Sequence, residues 1–157
     1  MRRTGIRFLT TIAATFAVLT ATLPAASAAP PVAVDFTFAE TLGTTTGTLI
    51  AGSVPGCTSA PTVTTAPVTI STFGPFTEFA GTKTISCDAG TLTIVFDAKV
   101  RLEPVCEGTN KGSWEVVSGT GVFAATSGGG KLEGTYPGGD SCLAGAVDDR
   151  YTGRLRS

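Results

Sequence analysis

Histidine is absent from all 157 residues. That removes the usual base for activating a serine or cysteine nucleophile, and the commonest nitrogen ligand for a metal. The four cysteines, Cys57, Cys87, Cys106 and Cys142, form no C-x-x-C pair, so a zinc site would have to gather scattered thiolates. No metal and no cofactor are expected. Helical periodicity is missing too, because no apolar i, i+3, i+4 pattern is sustained beyond residue 28. Long apolar runs are limited to one, Phe8 to Leu23, and no later run is long enough to span a bilayer.

That one run has the layout of a secretory signal. Arg2, Arg3 and Arg7 precede it, and Pro24 with Ala26-Ser27-Ala28 follows as an A-x-A cleavage site. The run is short for a transmembrane helix and carries several threonines. The arginine pair lacks a Phe-Leu-Lys continuation, which favours the general secretory route over the twin-arginine one. The expected domains are therefore a signal peptide, 1–28, and a single domain, 29–157, secreted and extracellular. The mature part has 129 residues, enough for one core, with eight basic and twelve acidic side chains and a net charge of −4. This argues against nucleic acid or an anionic membrane surface as partner, and no membrane insertion is expected after cleavage. In an oxidising compartment the even cysteine count reads as two disulfides.

What is abundant suits strands. Gly, Thr, Ser and Val dominate, and alternation is clear in several places. In TLTIVFDAKVRLE, Leu92, Ile94, Phe96, Ala98, Val100 and Leu102 share one face, with Val95 the exception on the other. VAVDFTFAE sets Val34, Phe36 and Phe38 against Asp35 and Thr37. AVDDRYTGRLRS sets Val147, Tyr151 and Leu155 against Asp148, Arg150, Thr152 and Arg154. Eight strands are predicted, near 32–41, 45–54, 62–72, 77–87, 91–103, 112–118, 129–136 and 145–156, with Gly- and Pro-bearing turns between most of them. This is the pattern of an all-β antiparallel meander, closed as a barrel or stacked as a sandwich. The segment 54–67 is the least regular and reads as a loop entering an edge-like strand, since proline donates nothing to a central ladder.

The segment 112–136, GSWEVVSGTGVFAATSGGGKLEGTY, holds the single tryptophan and seven glycines. As a dinucleotide cradle it fails, because KLEGTYPGG follows where a helix is required. Ser141, in GGDSCLAG, lacks both the G-x-S-x-G spacing and a histidine, and reads as part of a turn carrying a disulfide cysteine. A barrel corner explains more: Trp114 and Val116 end a strand, Gly119 and Gly121 bend the chain, Phe123 folds back to plug the core, and Gly128 to Gly130 make the next reversal.

The same segment resembles the W-x-V-x-x-G-T-G-x-F-x-x-A-x-G-x-G stretch of dirigent and allene oxide cyclase-like barrels, especially their small secreted bacterial relatives. Trp114, Val116, Gly119, Thr120, Gly121, Phe123, Gly128 and Gly130 carry the likeness, and Thr126 departs from it. The resemblance spans about 20 residues and implies an eight-stranded antiparallel up-and-down barrel, often with a mostly apolar cavity. An immunoglobulin-like β-sandwich is the alternative, and it leaves this motif unexplained. Plant members steer radical coupling or cyclise an oxylipin, and some bacterial relatives are cyclases. No catalytic residue carries over, and two disulfides are a departure from the family.

Within such a barrel, alternation points Phe36, Phe38, Ile85, Leu92, Ile94, Phe96, Trp114, Val116, Leu132, Val147 and Tyr151 inward. Phe36, Phe38, Phe96, Trp114 and Tyr151 are the expected ligand contacts if the interior is open. Asp149 and Lys83 share these faces; with Tyr151 they are the candidate acid–base residues. The simpler expectation puts Asp149 and Lys83 near strand ends at a wet rim. The end-to-end parity of the connections pairs Cys57 with Cys87 and Cys106 with Cys142, one of three possible connectivities. The functions open at this point are a binder of a small apolar molecule or an extracellular structural module, a cofactor-free cyclase or isomerase, and a protein-binding or inhibitor module working through 54–67. The sequence leaves the oligomeric state open.

Overall fold

A computed structural model describes residues 29–41, 44–101, 108–137 and 145–157. Among these are nine strands: β1 (Val32–Thr41), β2 (Thr46–Gly52), β3 (Thr62–Thr65), β4 (Thr69–Phe73), β5 (Phe76–Cys87), β6 (Gly90–Arg101), β7 (Thr109–Gly119), β8 (Ser127–Thr135) and β9 (Ala146–Arg156). Every pairing is antiparallel, in the order β3-β2-β1-β9-β8-β7-β6-β5-β4, and β3 also pairs with β5. That last pairing closes the sheet into an eight-stranded barrel with β4 as an extra strand. One sheet closed on itself rules out the two-sheet sandwich.

The ninth strand comes from a proline. β3 and β4 run in the same direction along the same edge of β5: Thr62–Thr65 oppose Ser86–Lys83, and Thr69–Phe73 oppose Ala80–Phe76. Their registers differ by one residue. Ala66 still donates to the Thr82 carbonyl at 2.9 Å, but Pro67 has no N–H with which to continue. The predicted strand 62–72 is thus one wall strand with an irregularity at 66–68. β2 covers only the β3 half, through Thr46–Thr48. Among the described residues β4 pairs with β5 alone, which leaves the wall unzipped between β4 and the start of β2.

Alternation fills the interior. Phe36, Phe38, Ile85, Leu92, Ile94, Trp114, Leu132, Val147 and Tyr151 are buried, and Val116 is half-buried against the same core. Val95 points outward, as its place in the pattern requires. One end of the barrel is sealed by the β2–β3 loop, the β5–β6 turn and the Gly121–Phe123 3-10 turn, with Val54 and Phe123 buried beneath them. Gly121 has φ +59°, and a Cβ there would strike the Ala89 carbonyl, so the plug depends on glycine. Gly128 to Gly130 do not make a reversal as expected. The chain turns at 120–126, and these glycines lie inside β8, facing Leu155 to Gly153.

Cys57 and Cys87 form a disulfide at the sealed end, with Cα atoms 5.6 Å apart. Thr58 and Ser59 both donate to the Asp88 carboxylate and hold it below the usual carboxylate range, chiefly through the Thr58 hydroxyl. The 54–61 loop is therefore pinned twice. Cys106 and Cys142 lie outside the described residues, as do residues 1–28 and Ser141.

Candidate functional site

An aromatic layer divides the interior. Phe36 stacks on Tyr151 with centroids 5.3 Å apart, Phe38 meets both edge-on, and Trp114 packs against Phe36 and Tyr151 at 6.3 and 6.2 Å. The Trp114 Nε1 donates to the Thr152 carbonyl at 3.2 Å, which satisfies the one polar atom of the indole. Such a layer is filled core rather than a ligand box.

Beyond this layer, toward the end opposite Phe123, the described residues leave the interior unfilled. A cavity of about 530 Å³ is walled by Val68, Ile70, Phe79, Phe96, Leu132 and Val147, among other mostly apolar side chains. It reaches the unzipped seam, where Thr44, Thr45, Ala66 and Pro67 border it. Its size and its apolar lining with a few convergent polar groups are those of a small-molecule site.

The polar groups are a buried ion cluster. Lys83 Nζ donates to Glu40 Oε1 at 2.5 Å and to Asp149 Oδ2 at 2.6 Å. The Lys83 ammonium also lies 4.8 Å from the Phe96 ring centroid. The Thr65 hydroxyl donates to Glu40 Oε2 at 2.8 Å, so both oxygens of Glu40 are satisfied. Asp149 Oδ1 is buried and has no hydrogen-bond partner among the described residues, whereas the buried Tyr151 hydroxyl interacts with Lys83.

Each carboxylate fits because a glycine faces it. Glu40 pairs across β1–β2 with Gly47, and Asp149 pairs across β8–β9 with Gly134. A Cβ at Gly47 would strike the Glu40 Cγ, and one at Gly134 would crowd the Asp149 carboxylate at 2.5 Å. Asn110 accepts from the Gly134 N–H at 3.0 Å and donates to the Tyr136 hydroxyl at 2.9 Å, fixing this side of the wall.

Electrostatics sets the protonation of two members. Burial alone would lower the Lys83 pKa, but the acidic groups around it, Tyr151 once ionised together with Asp149 and Glu40, outweigh burial and hold it raised. Burial raises the Tyr151 phenol; Lys83 opposes this, while Asp149 and Glu40 add to it. At neutral pH Lys83 is an ammonium, not a free amine nucleophile, and Tyr151 is a neutral phenol. Tyr136, at the cavity wall, is raised chiefly by burial as well.

Lys83, Asp149 and Tyr151 are thus brought together. The rim expectation is corrected: Lys83 is 2% and Asp149 5% exposed, because β4, Tyr136 and Val147 carry the wall past them. Of the aromatic residues expected to contact a ligand, Phe96 lines the cavity, whereas Phe36, Phe38, Trp114 and Tyr151 form the packed layer next to it. Glu40 is the member that sequence reasoning missed. The signal was present, since Glu40 continues the Phe36, Phe38 face at a spacing of two. Among the described residues no group of His, Cys, Asp and Glu is arranged to hold a metal ion. No helix among them is long and apolar enough to cross a membrane. The chain matches no protein-family model, no curated protein and no solved structure.

Proposed function

We propose that this chain is a secreted, disulfide-stapled β-barrel that binds a small, largely apolar molecule in the cavity at the end opposite Phe123. The observation that carries the reading is the 530 Å³ apolar cavity ending on a buried ion cluster. Charges at that depth cost desolvation energy, and apolar side chains in their place are often neutral or stabilising, so stability alone does not call for them. The signal-like residues 1–28 and the Cys57–Cys87 bridge support export. The test is titration of the oxidised protein with the neutral apolar dye N-phenyl-1-naphthylamine. Saturable binding at one equivalent, lost in Ala98→Phe, is expected; Ala98 lines the cavity, so the larger ring fills it. Binding unaffected by Ala98→Phe places the dye elsewhere and defeats the reading.

A second reading, a cofactor-free cyclase or isomerase akin to the allene oxide cyclase-like barrels, is favoured by Asp149. A buried carboxylate with an unused oxygen beside an apolar cavity is placed to take a proton from a bound substrate. Hydrogen–deuterium exchange at an acidic C–H of a bound ligand, abolished in Asp149→Asn with binding retained, distinguishes this from binding alone.

A further inference from the structure

The ligand class follows from the hydrogen-bond and charge count at the cavity floor; it rests on the binding reading above. Glu40, Lys83 and Asp149 are the only charged side chains among the described residues lining the cavity. Two carboxylates share one ammonium, so the cluster carries a formal charge of −1. Lys83 is already committed to both carboxylates, and both Glu40 oxygens accept. The unused valence is an acceptor: Asp149 Oδ1, on a side chain 93% buried and lining the cavity. The cluster lacks a second positive donor.

We propose that the cavity selects a cationic amphiphile, a primary amine on an apolar body, whose ammonium donates to Asp149 Oδ1. The amine supplies the missing donor and balances the excess charge in a site where water screens little. A lysine inside an apolar barrel suggests at first a carboxylate ligand. Here that ligand would meet a cation already paired twice and a cluster of its own sign. A neutral alcohol offers the hydrogen bond without the charge. The apolar body would lie against Phe79, Phe96, Val68 and Leu132.

The test is calorimetric titration of the oxidised protein at pH 7 with three matched probes: 4-phenylbutylamine, 4-phenylbutan-1-ol and 4-phenylbutanoate. The amine is expected to bind about tenfold or more tighter than the alcohol, as a charge-assisted bond exceeds a neutral one, with the carboxylate weakest. Asp149→Asn should shrink the amine-to-alcohol ratio. Should that variant fail to fold, Glu40→Gln keeps an oxygen for Lys83, removes the excess charge and should shrink the same ratio. Equal affinity for amine and alcohol, or a carboxylate that binds as well as the amine, overturns the ligand class and leaves the cavity reading standing. Binding of none of the three overturns both.

Discussion

Lys83 of β5 and Asp149 of β9 stand 66 residues apart in the chain and meet at 2.6 Å inside the barrel. Between them and Glu40 they hold the only charges that the described cavity walls carry. Removing one partner of such a cluster should cost far more than removing all of it. Lys83→Met leaves two carboxylates facing each other without a cation, and about 3–5 kcal/mol of stability should be lost. The triple variant Lys83→Met, Glu40→Gln, Asp149→Asn should recover much of that loss. Chemical denaturation of both variants measures the difference.

Gly134 tests the packing of the site without touching its charges. Its Cβ would press on Asp149 and on the Asn110 amide together. Gly134→Ala should destabilise the fold by about 1–3 kcal/mol, the usual range for overpacking, and should weaken cavity ligands.

Alkali should unfold the protein by way of the buried cluster. Lys83 and Tyr151 both have folded-state pKa values raised above their ordinary 10.5 and 10.0. Their contribution is therefore fully present below about pH 10 and is lost as pH rises, because the unfolded chain releases both protons first. Stability should fall by about 1.4 kcal/mol per pH unit for each group above its unfolded value. Tyr151→Phe should remove one of these slopes. It also deletes the buried hydroxyl that interacts with Lys83, so the same titration extended to pH 7 reports what that hydroxyl contributes beside the ammonium. Denaturation midpoints between pH 8 and pH 12 give both numbers (the pH limits are set by the about pH 10 onset).

The Cys57–Cys87 bridge closes a loop with a sequence separation of 30. Chain-entropy arguments give about 3–4 kcal/mol for a loop of that length. The double variant Cys57→Ser, Cys87→Ser should lose about that much, with the Thr58 and Ser59 bonds to Asp88 keeping the loop partly in place. Denaturant midpoints of the two oxidised proteins measure it.

Much of the wall was legible because strands repeat with a period of two. Phe36, Leu92, Trp114 and Tyr151 each fall where that period puts them. The break at Ala66 to Val68 was less legible: Pro67 signals a fault in the ladder, but whether the strand ends or resumes depends on β5, the strand that follows the β4–β5 turn. The glycine triplet 128–130 misled for a related reason. Its glycines look like a turn, yet Cβ atoms at Gly128 and Gly130 would strike the backbone carbonyls of Arg154 and Thr152 on β9, so there the residue type records close strand approach. The depth of Lys83 and Asp149 was not legible, because the strand period fixes a face and says nothing of height along the barrel. The ion cluster itself depends on three strands, β1, β5 and β9, that no local pattern relates.

The most direct test of the central claim is native mass spectrometry of the oxidised protein purified from its own host, alongside Ala98→Phe. The expected result is a complex heavier than the bare chain, which loses a small molecule on collisional activation and is absent in the variant. Bare-chain masses for both proteins, with no uptake of added 4-phenylbutylamine or N-phenyl-1-naphthylamine, would contradict the claim that this cavity is a binding site.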